Sequence, residues 1–316
     1  MQSGRRFFIT GWRSSDAVTA FAERLARAAN GTLEPIERPG ERAWLFVPQD
    51  DGDVTLARGL CAEYDVAVCL RLDGVSRGAQ AGGRACLVID PIRLQALKRY
   101  GEGAHAVWGA QAGCTLGALA DAGLTQFADL PTAVTLAQWA AGAHPAVLPG
   151  QTALTGVMGA DVLFADGTVE TVGGFGTRDT RPLRSQRVQA AVPALFELTR
   201  GDDARLLRAR PRWPAIARLD ALMPPAGQDD DINVARVFLG NRGRHGWVLQ
   251  WLLRPSDTVL RASPDVTAEC DRADAPDEAR THDVSADAIE AGRRLDDAIA
   301  RVLDPENLYS GATAAP

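Results

Sequence analysis

The chain has 316 residues, 46% hydrophobic and 23% charged, the composition of an ordinary globular protein with room for two subdomains. Its formal net charge of −6 argues against a nucleic-acid binder, which needs a cationic face. No run approaches the ~18 apolar residues of a membrane span, so no span is expected and the chain is expected to be cytoplasmic.

In chain order, residues 7–12 form a candidate first strand. Ser15 and Asp16 then cap a helix with Val18, Phe21 and Leu25 on one face, closed at Asn30-Gly31. Residues 43–48 read as a strand stopped by Pro48, and Asp53 as the start of a second helix that leads into an apolar strand at 66–70. A connection with four glycines, three arginines and one serine (residues 71–84) separates that strand from a second apolar run at 85–90. Glycines let backbone N–H groups turn toward a ligand and arginine adds positive charge, a combination suited to a phosphate; an ordinary glycine-rich hairpin connection is the plainer alternative.

Asp90-Pro91 reads as the start of a short helix ending at Lys98 and Arg99. Residues 105–108 form another strand and 115–122 a small-residue helix. Residues 157–164, the turn Ala165-Asp166-Gly167-Thr168 and residues 169–172 form a β-hairpin, the clearest local signal in the chain. A helix at 188–198 follows, containing Pro193. Beyond Arg200 the composition shifts: five arginines fall within 205–218, and a Pro/Gly/Asp linker covers 223–231. Strands at 232–239 and 247–253 are joined by a basic turn, 240–246, and Ser285 caps a last helix ending near Asp304-Pro305.

Several stretches, taken in order, carry a family resemblance. They are the glycine loop with Gly74, Val75, Ser76, Arg77 and Gly78; Cys86-Leu87-Val88-Ile89-Asp90 followed by Leu94; and Gly109-Ala110-Gln111-Ala112-Gly113 with Gly117 and Leu119. Gly159-Ala160-Asp161-Val162 leading to Asp166-Gly167, and Asp304-Pro305-Glu306-Asn307-Leu308-Tyr309-Ser310-Gly311, complete the set. Between residues 54 and 198 the chain resembles the flavin-binding domain of the vanillyl-alcohol oxidase and p-cresol methylhydroxylase superfamily. Within it the chain is most similar to the FAD-linked subunits of glycolate oxidase and D-lactate dehydrogenase. The family loop is usually Arg-Gly-x-Gly-Thr-Ser, and Thr135-Leu136-Ala137-Gln138-Trp139 stands where the family has a Gly-Gly turn.

The resemblance implies an α+β fold, a two-subdomain FAD-binding domain of the vanillyl-alcohol oxidase type with a small C-terminal α/β cap. Its divisions are 1–199 (subdomains about 1–100 and 101–199), a separate cap at 200–284, and a helix and tail at 285–316 that return to the FAD-binding domain. It implies FAD as cofactor, with Gly74, Val75, Ser76, Arg77 and Gly78 at the pyrophosphate and Pro131, Thr132, Thr135, Leu136, Ala137 and Tyr309 as further contacts. The reaction expected is oxidation of a small 2-hydroxy acid such as glycolate or D-lactate by hydride transfer, with other oxidoreductase subunits as partners. A degenerate, non-catalytic subunit of a larger oxidoreductase is the alternative from the same fold.

Three readings rest on the residues alone. Arg242, Arg244 and His245 at the basic turn could hold a substrate carboxylate by bidentate pairing, the alternative being a solvated hairpin tip. Gly74-Val75-Ser76-Arg77-Gly78 also matches the Gly-x-Ser-x-Gly nucleophile elbow of a serine hydrolase, but no helix follows it, so Ser76 is expected to be no nucleophile. His105, His144, His245 and His282 show no metal-ligand spacing. The five cysteines (Cys61, Cys69, Cys86, Cys114, Cys270) show no Cys-x-x-Cys spacing and are expected as buried, reduced hydrophobes.

Overall fold

A computed structural model describes residues 16–37, 42–72, 84–142, 147–175, 182–224, 232–261 and 285–309. The expected strand at 7–12 and the glycine loop at 74–78 lie outside the described residues, as do His144, Cys270 and His282.

Four strands, β1 (Thr32–Ile36), β2 (Ala43–Val47), β3 (Ala67–Leu70) and β4 (Cys86–Ile89), form one sheet in the order β1-β2-β4-β3. β1 pairs antiparallel with β2, while β2, β4 and β3 run parallel. The parallel strands read Ala-Val-Cys-Leu and Cys-Leu-Val-Ile because a parallel sheet is covered on both faces and leaves no polar side. Since β3 and β4 are parallel, the hairpin reading of their connection fails: an antiparallel return is not what joins them.

Two helices cover one face of this sheet. α1 (Ala17–Ala28) starts at Asp16, whose side chain accepts from Val18 N at 3.5 Å, and it buries Phe21 and Leu25. α2 (Asp51–Tyr64) is capped by Asp50, which accepts from Asp53 N at 3.0 Å. The expected start at Asp53 is therefore three residues past the true cap. Asp53 is buried instead, and its carboxylate accepts from Asn30 N and Gln49 N, both at 2.8 Å, tying the end of α1 to the end of β2. Phe21, Phe46, Leu60, Val68, Leu87 and Ile89 make the core between sheet and helices. Each such side chain contributes roughly 1.5–3 kcal/mol on burial.

The second sheet is antiparallel throughout and holds β5 (Leu97–Tyr100), β6 (Val107–Gln111), β7 (Val157–Leu163), β8 (Val169–Gly173) and β9 (Trp247–Leu253), in the order β5-β6-β9-β7-β8. The hairpin of β7 and β8 forms as expected, with Gly167 at φ 90° in its turn. The short helix expected from Pro91 is a single turn: Leu94 N donates to Pro91 O at 2.7 Å, and the chain then extends as β5. Pairing with β6 wins there, aided by Arg99 lying 5.2 Å over the Trp108 ring. The strand expected at 232–239 is a 3-10 helix, Val234–Phe238, wholly buried. Asn233 caps it by accepting from Ala235 N at 2.9 Å, which favours the helical turn over a strand for a short apolar run.

Of the stretch expected as a cap, 200–284, the described residues 200–224 and 232–261 pack with the second sheet. β9 lies between β6 and β7 as the central strand of the second sheet, because its Trp, Val and Leu side chains complete that sheet's core. Helices α3 (Leu116–Asp121), α4 (Leu136–Ala141), α5 (Gln186–Thr199), α6 (Asp202–Arg208) and α7 (Ala286–Leu303) surround the same core. α6 and α7 are joined by an ion pair, Arg294 Nη2 to Asp203 Oδ1 at 2.6 Å. Past α7 the tail crosses to the first sheet, where Val68 N donates to Leu308 O at 2.8 Å and Tyr309 bridges Val68 in parallel beside β3. The tail through residue 309 thus lies along the edge of the first sheet. Among the described residues no helix is long and apolar enough to cross a membrane.

Candidate functional site

A small cleft, with a cavity volume of about 30 Å³, opens where the two sheets meet. Leu70, at the C-terminal end of β3, forms one wall. Trp247, Val248 and Trp251 of β9 with Phe238 form the other, and Ala112, Ala137, Ala140 and Ala141 the floor. Asn241, Gly243 and Gly246 close it. Alanine and glycine beside aromatic rings make this a mainly apolar cleft with a few polar groups at its edge.

The closing loop, residues 240–246, is held by its own backbone. Gly240 N donates to Ala140 O at 2.6 Å and Arg242 N to Ala141 O at 3.0 Å, which fastens it to α4. Asn241 bridges it from inside, its Nδ2 donating to Arg244 O at 2.6 Å and its Oδ1 accepting from Gly243 N at 2.9 Å. Gly240, Arg242, Gly243 and His245 all take left-handed backbone, φ between 54° and 78°. At Arg242 and His245 that conformation costs roughly 1 kcal/mol or more each. Gly243 is required by space as well, since a Cβ there would sit 2.7 Å from the Leu70 Cβ.

His245 is not a solvated hairpin tip. It is 1% exposed, and among the described residues neither ring nitrogen has a hydrogen-bond partner. Burial, with the neighbouring Arg244 charge, pushes its pKa down to about 3, so the imidazole is neutral across the ordinary range. Trp247 is 5% exposed, lines the cleft, and its Nε1 likewise has no acceptor. Arg242 and Arg244 are half-buried, and their charges reach Asp296 of α7. Asp296 accepts from Ile216 N at 2.8 Å and Ala217 N at 2.9 Å, and its burial nonetheless raises its pKa to about 6.

The other predicted positions divide. Ala137 lines the cleft at the start of α4, while Thr135 and Leu136 lie beside it without lining it. The first turn of α4 has its donors committed internally. Thr135 N donates to Gln138 Oε1 at 3.0 Å, Leu136 N to Cys114 O at 2.7 Å, Ala137 N to Ala112 O at 2.9 Å and Gln138 N to Thr135 Oγ1 at 3.3 Å. Pro131 and Thr132 lie exposed in the turn before α4 and do not line the cleft. Tyr309 is 3% exposed; its hydroxyl donates to Leu163 O at 2.8 Å and its N–H to Asp304 Oδ2 at 2.7 Å. Burial keeps that phenol well above its usual range. Trp247 and Trp251 carry no sequence signal beyond opening an apolar strand after Gly246, so their place on the cleft emerges only with the fold.

No family model and no curated protein matches the sequence. Solved structures are similar to it at low identity. A glucooligosaccharide oxidase from Acremonium strictum, described with a 6-S-cysteinyl, 8α-N1-histidyl FAD, aligns with 76% of this chain and 43% of its own at 15% identity and a TM-score of 0.42. The BBE-like 1 protein of Physcomitrella patens aligns with 74% of this chain and 44% of its own, at 14% identity and a TM-score of 0.42. For a xylooligosaccharide oxidase from Myceliophthora thermophila the figures are 76%, 43%, 13% and 0.41. The chain spans less than half the length of each of these proteins.

Proposed function

We propose that the cleft receives the ring system of FAD and that the protein is a flavin-dependent oxidoreductase, or the flavin-binding subunit of one. One observation supports the reading: small and aromatic side chains line a cleft at the end of the strand that enters the glycine loop, and among the described residues the buried Nε1 of Trp247, one of the lining residues, has no acceptor. An acceptor atom on the edge of a planar heteroaromatic ring would satisfy that donor, and the ring would stack against the lining indoles. Bound FAD supplies a hydride acceptor. Around it, the small side chains of Ala137, Ala140 and Ala141 would leave room for the ring, Trp247 would orient the ring edge, and the neutral imidazole of His245 could accept a hydrogen bond from a ligand that reaches it. With the donors of the α4 first turn committed, the pyrophosphate falls to the glycine loop, Gly74 to Gly78.

The substrate we propose is a small 2-hydroxy acid, its carboxylate held by Arg242 and Arg244 beside His245, because paired arginines bind a carboxylate through two parallel N–H bonds. Titrating the purified protein with FAD while following the quenching of free-flavin fluorescence tests the cofactor. Dye reduction by glycolate or D-lactate tests the substrate, and a protein that takes up FAD but reduces no dye with either acid would remove the substrate half. The second reading, a non-catalytic subunit within a larger oxidoreductase, is favoured by the Ala137 methyl on the cleft floor and the self-satisfied first turn of α4. It predicts no FAD uptake by wild type and none by Ala137→Gly.

A further inference from the structure

We propose that Cys69 and Cys86 form a reversible intramolecular disulfide, a modification site joining β3 to β4 whatever the cleft binds. Cys69 lies in β3 and Cys86 opens β4. The parallel register pairs Ala67 with Cys86 and Cys69 with Val88, so the two cysteines are diagonal neighbours on one face of the sheet. They are buried there with Ala43 and Val88, at 5% and 2% exposure. Their Sγ atoms are 2.6 Å apart, closer than two unbonded sulfurs rest; closing the ~2.05 Å S–S bond from this diagonal register also draws the two strands together by a shift of the backbone.

The other described thiols do not compete for this geometry. Cys61 is buried in the core between the sheet and its helices, in a different cluster from Cys69 and Cys86. Cys114 lies against Ala96, donating to its carbonyl oxygen at 3.4 Å.

Hydrogen peroxide is a sufficient oxidant and is small enough to reach a buried pair. One sulfur, as thiolate, attacks a peroxide oxygen; the O–O bond breaks, hydroxide leaves and takes up a proton, and a sulfenic acid forms. The second sulfur displaces that oxygen as water, and the S–S bond closes. Two S–H bonds are lost, two electrons pass from the sulfurs to the peroxide, and two waters result. Dithiothreitol reverses the bond by exchange. The hydrogen bond to Cys86, with burial, holds the Cys69 thiol well above its ordinary range, so oxidation runs faster at alkaline than at neutral pH.

The test uses the full chain, treated with hydrogen peroxide, quenched, denatured and alkylated with iodoacetamide before mass spectrometry. All five cysteines of the untreated protein alkylate, and three are expected to after oxidation, with five restored by dithiothreitol. Trypsin cuts at Arg71, Arg77 and Arg84 between the two positions, so the bond appears as a linked pair of peptides, 59–71 with Cys61 and Cys69 and 85–93 with Cys86, and fragmentation between Cys61 and Cys69 shows which of the two carries it. Cys69→Ser and Cys86→Ser should each show four alkylated cysteines before and after oxidant. Five alkylated cysteines after oxidation, sulfinic or sulfonic products without linked peptides, or a bond to another cysteine would each overturn the proposal.

Discussion

At the scale of single residues, His245 is a neutral imidazole held in left-handed backbone without a hydrogen-bond partner. Its pKa is pushed down to about 3 by burial, while the unfolded chain protonates it near 6.5. Between those values the unfolded state binds the extra proton, so this residue's contribution to stability falls as pH drops below ~6.5, by up to about 4 kcal/mol near pH 3. Asp296 acts in the opposite sense. Its raised pKa stabilises the fold at low pH, and that contribution is lost as pH rises from ~4 to about 6. The difference between wild type and His245→Gln in urea denaturation therefore isolates the histidine: wild type should lose more stability on acidification than the variant, and parallel curves would show that the imidazole is not buried neutral.

Gly113 makes a simpler prediction. A Cβ there would overlap the carbonyl oxygen of Pro91, so Gly113→Ala should cost roughly 2 kcal/mol or more in the same measurement.

At the scale of elements, the C-terminal tail acts as an added strand. Val68 N donates to Leu308 O, Arg84 Nη1 donates to Asn307 O at 2.8 Å, and the Tyr309 hydroxyl reaches Leu163 O of β7, so a few residues tie the two sheets together. Truncation after Leu303 should expose the Val68 amide and speed hydrogen exchange in β3 while leaving β9 protected. Tyr309→Phe should cost about 1–2 kcal/mol, since Leu163 O then loses its buried donor. Equal exchange rates in β3 with and without the tail would refute this role.

Elements whose signals are local were legible in the sequence. Asp16 caps α1, Gly167 turns the hairpin, and Ser285 stands directly before α7. Elements decided by distant partners were not. Residues 234–238 have the apolar run of a strand but take a helical turn on the Asn233 cap, and Leu97–Tyr100 becomes a strand only because β6 is there to pair with it. β9 reads as a strand from sequence, yet its insertion between β6 and β7 is a pairing across more than 80 residues that no local pattern encodes.

At the scale of the molecule, the described residues make two sheets with separate cores and a cleft where they meet, lined by the strand that enters the glycine loop and by β9. Of the site, the basic turn and Ala137 were visible as a glycine-rich basic segment and as a departure from a Gly-Gly turn. Trp247 and Trp251 were not, because an indole on a strand reads as core until the opposite wall is in place. The glycine loop that should hold the pyrophosphate is outside the described residues, so its role stands on sequence alone. The central claim, that this cleft holds a flavin, is tested most directly by the visible spectrum of the protein after incubation with FAD and removal of free ligand. The account predicts a retained band near about 450 nm at one FAD per chain, markedly reduced in Gly74→Val and altered in position or shape in Trp247→Phe. A colourless wild-type protein, or a band of equal size and shape in all three proteins, would contradict it.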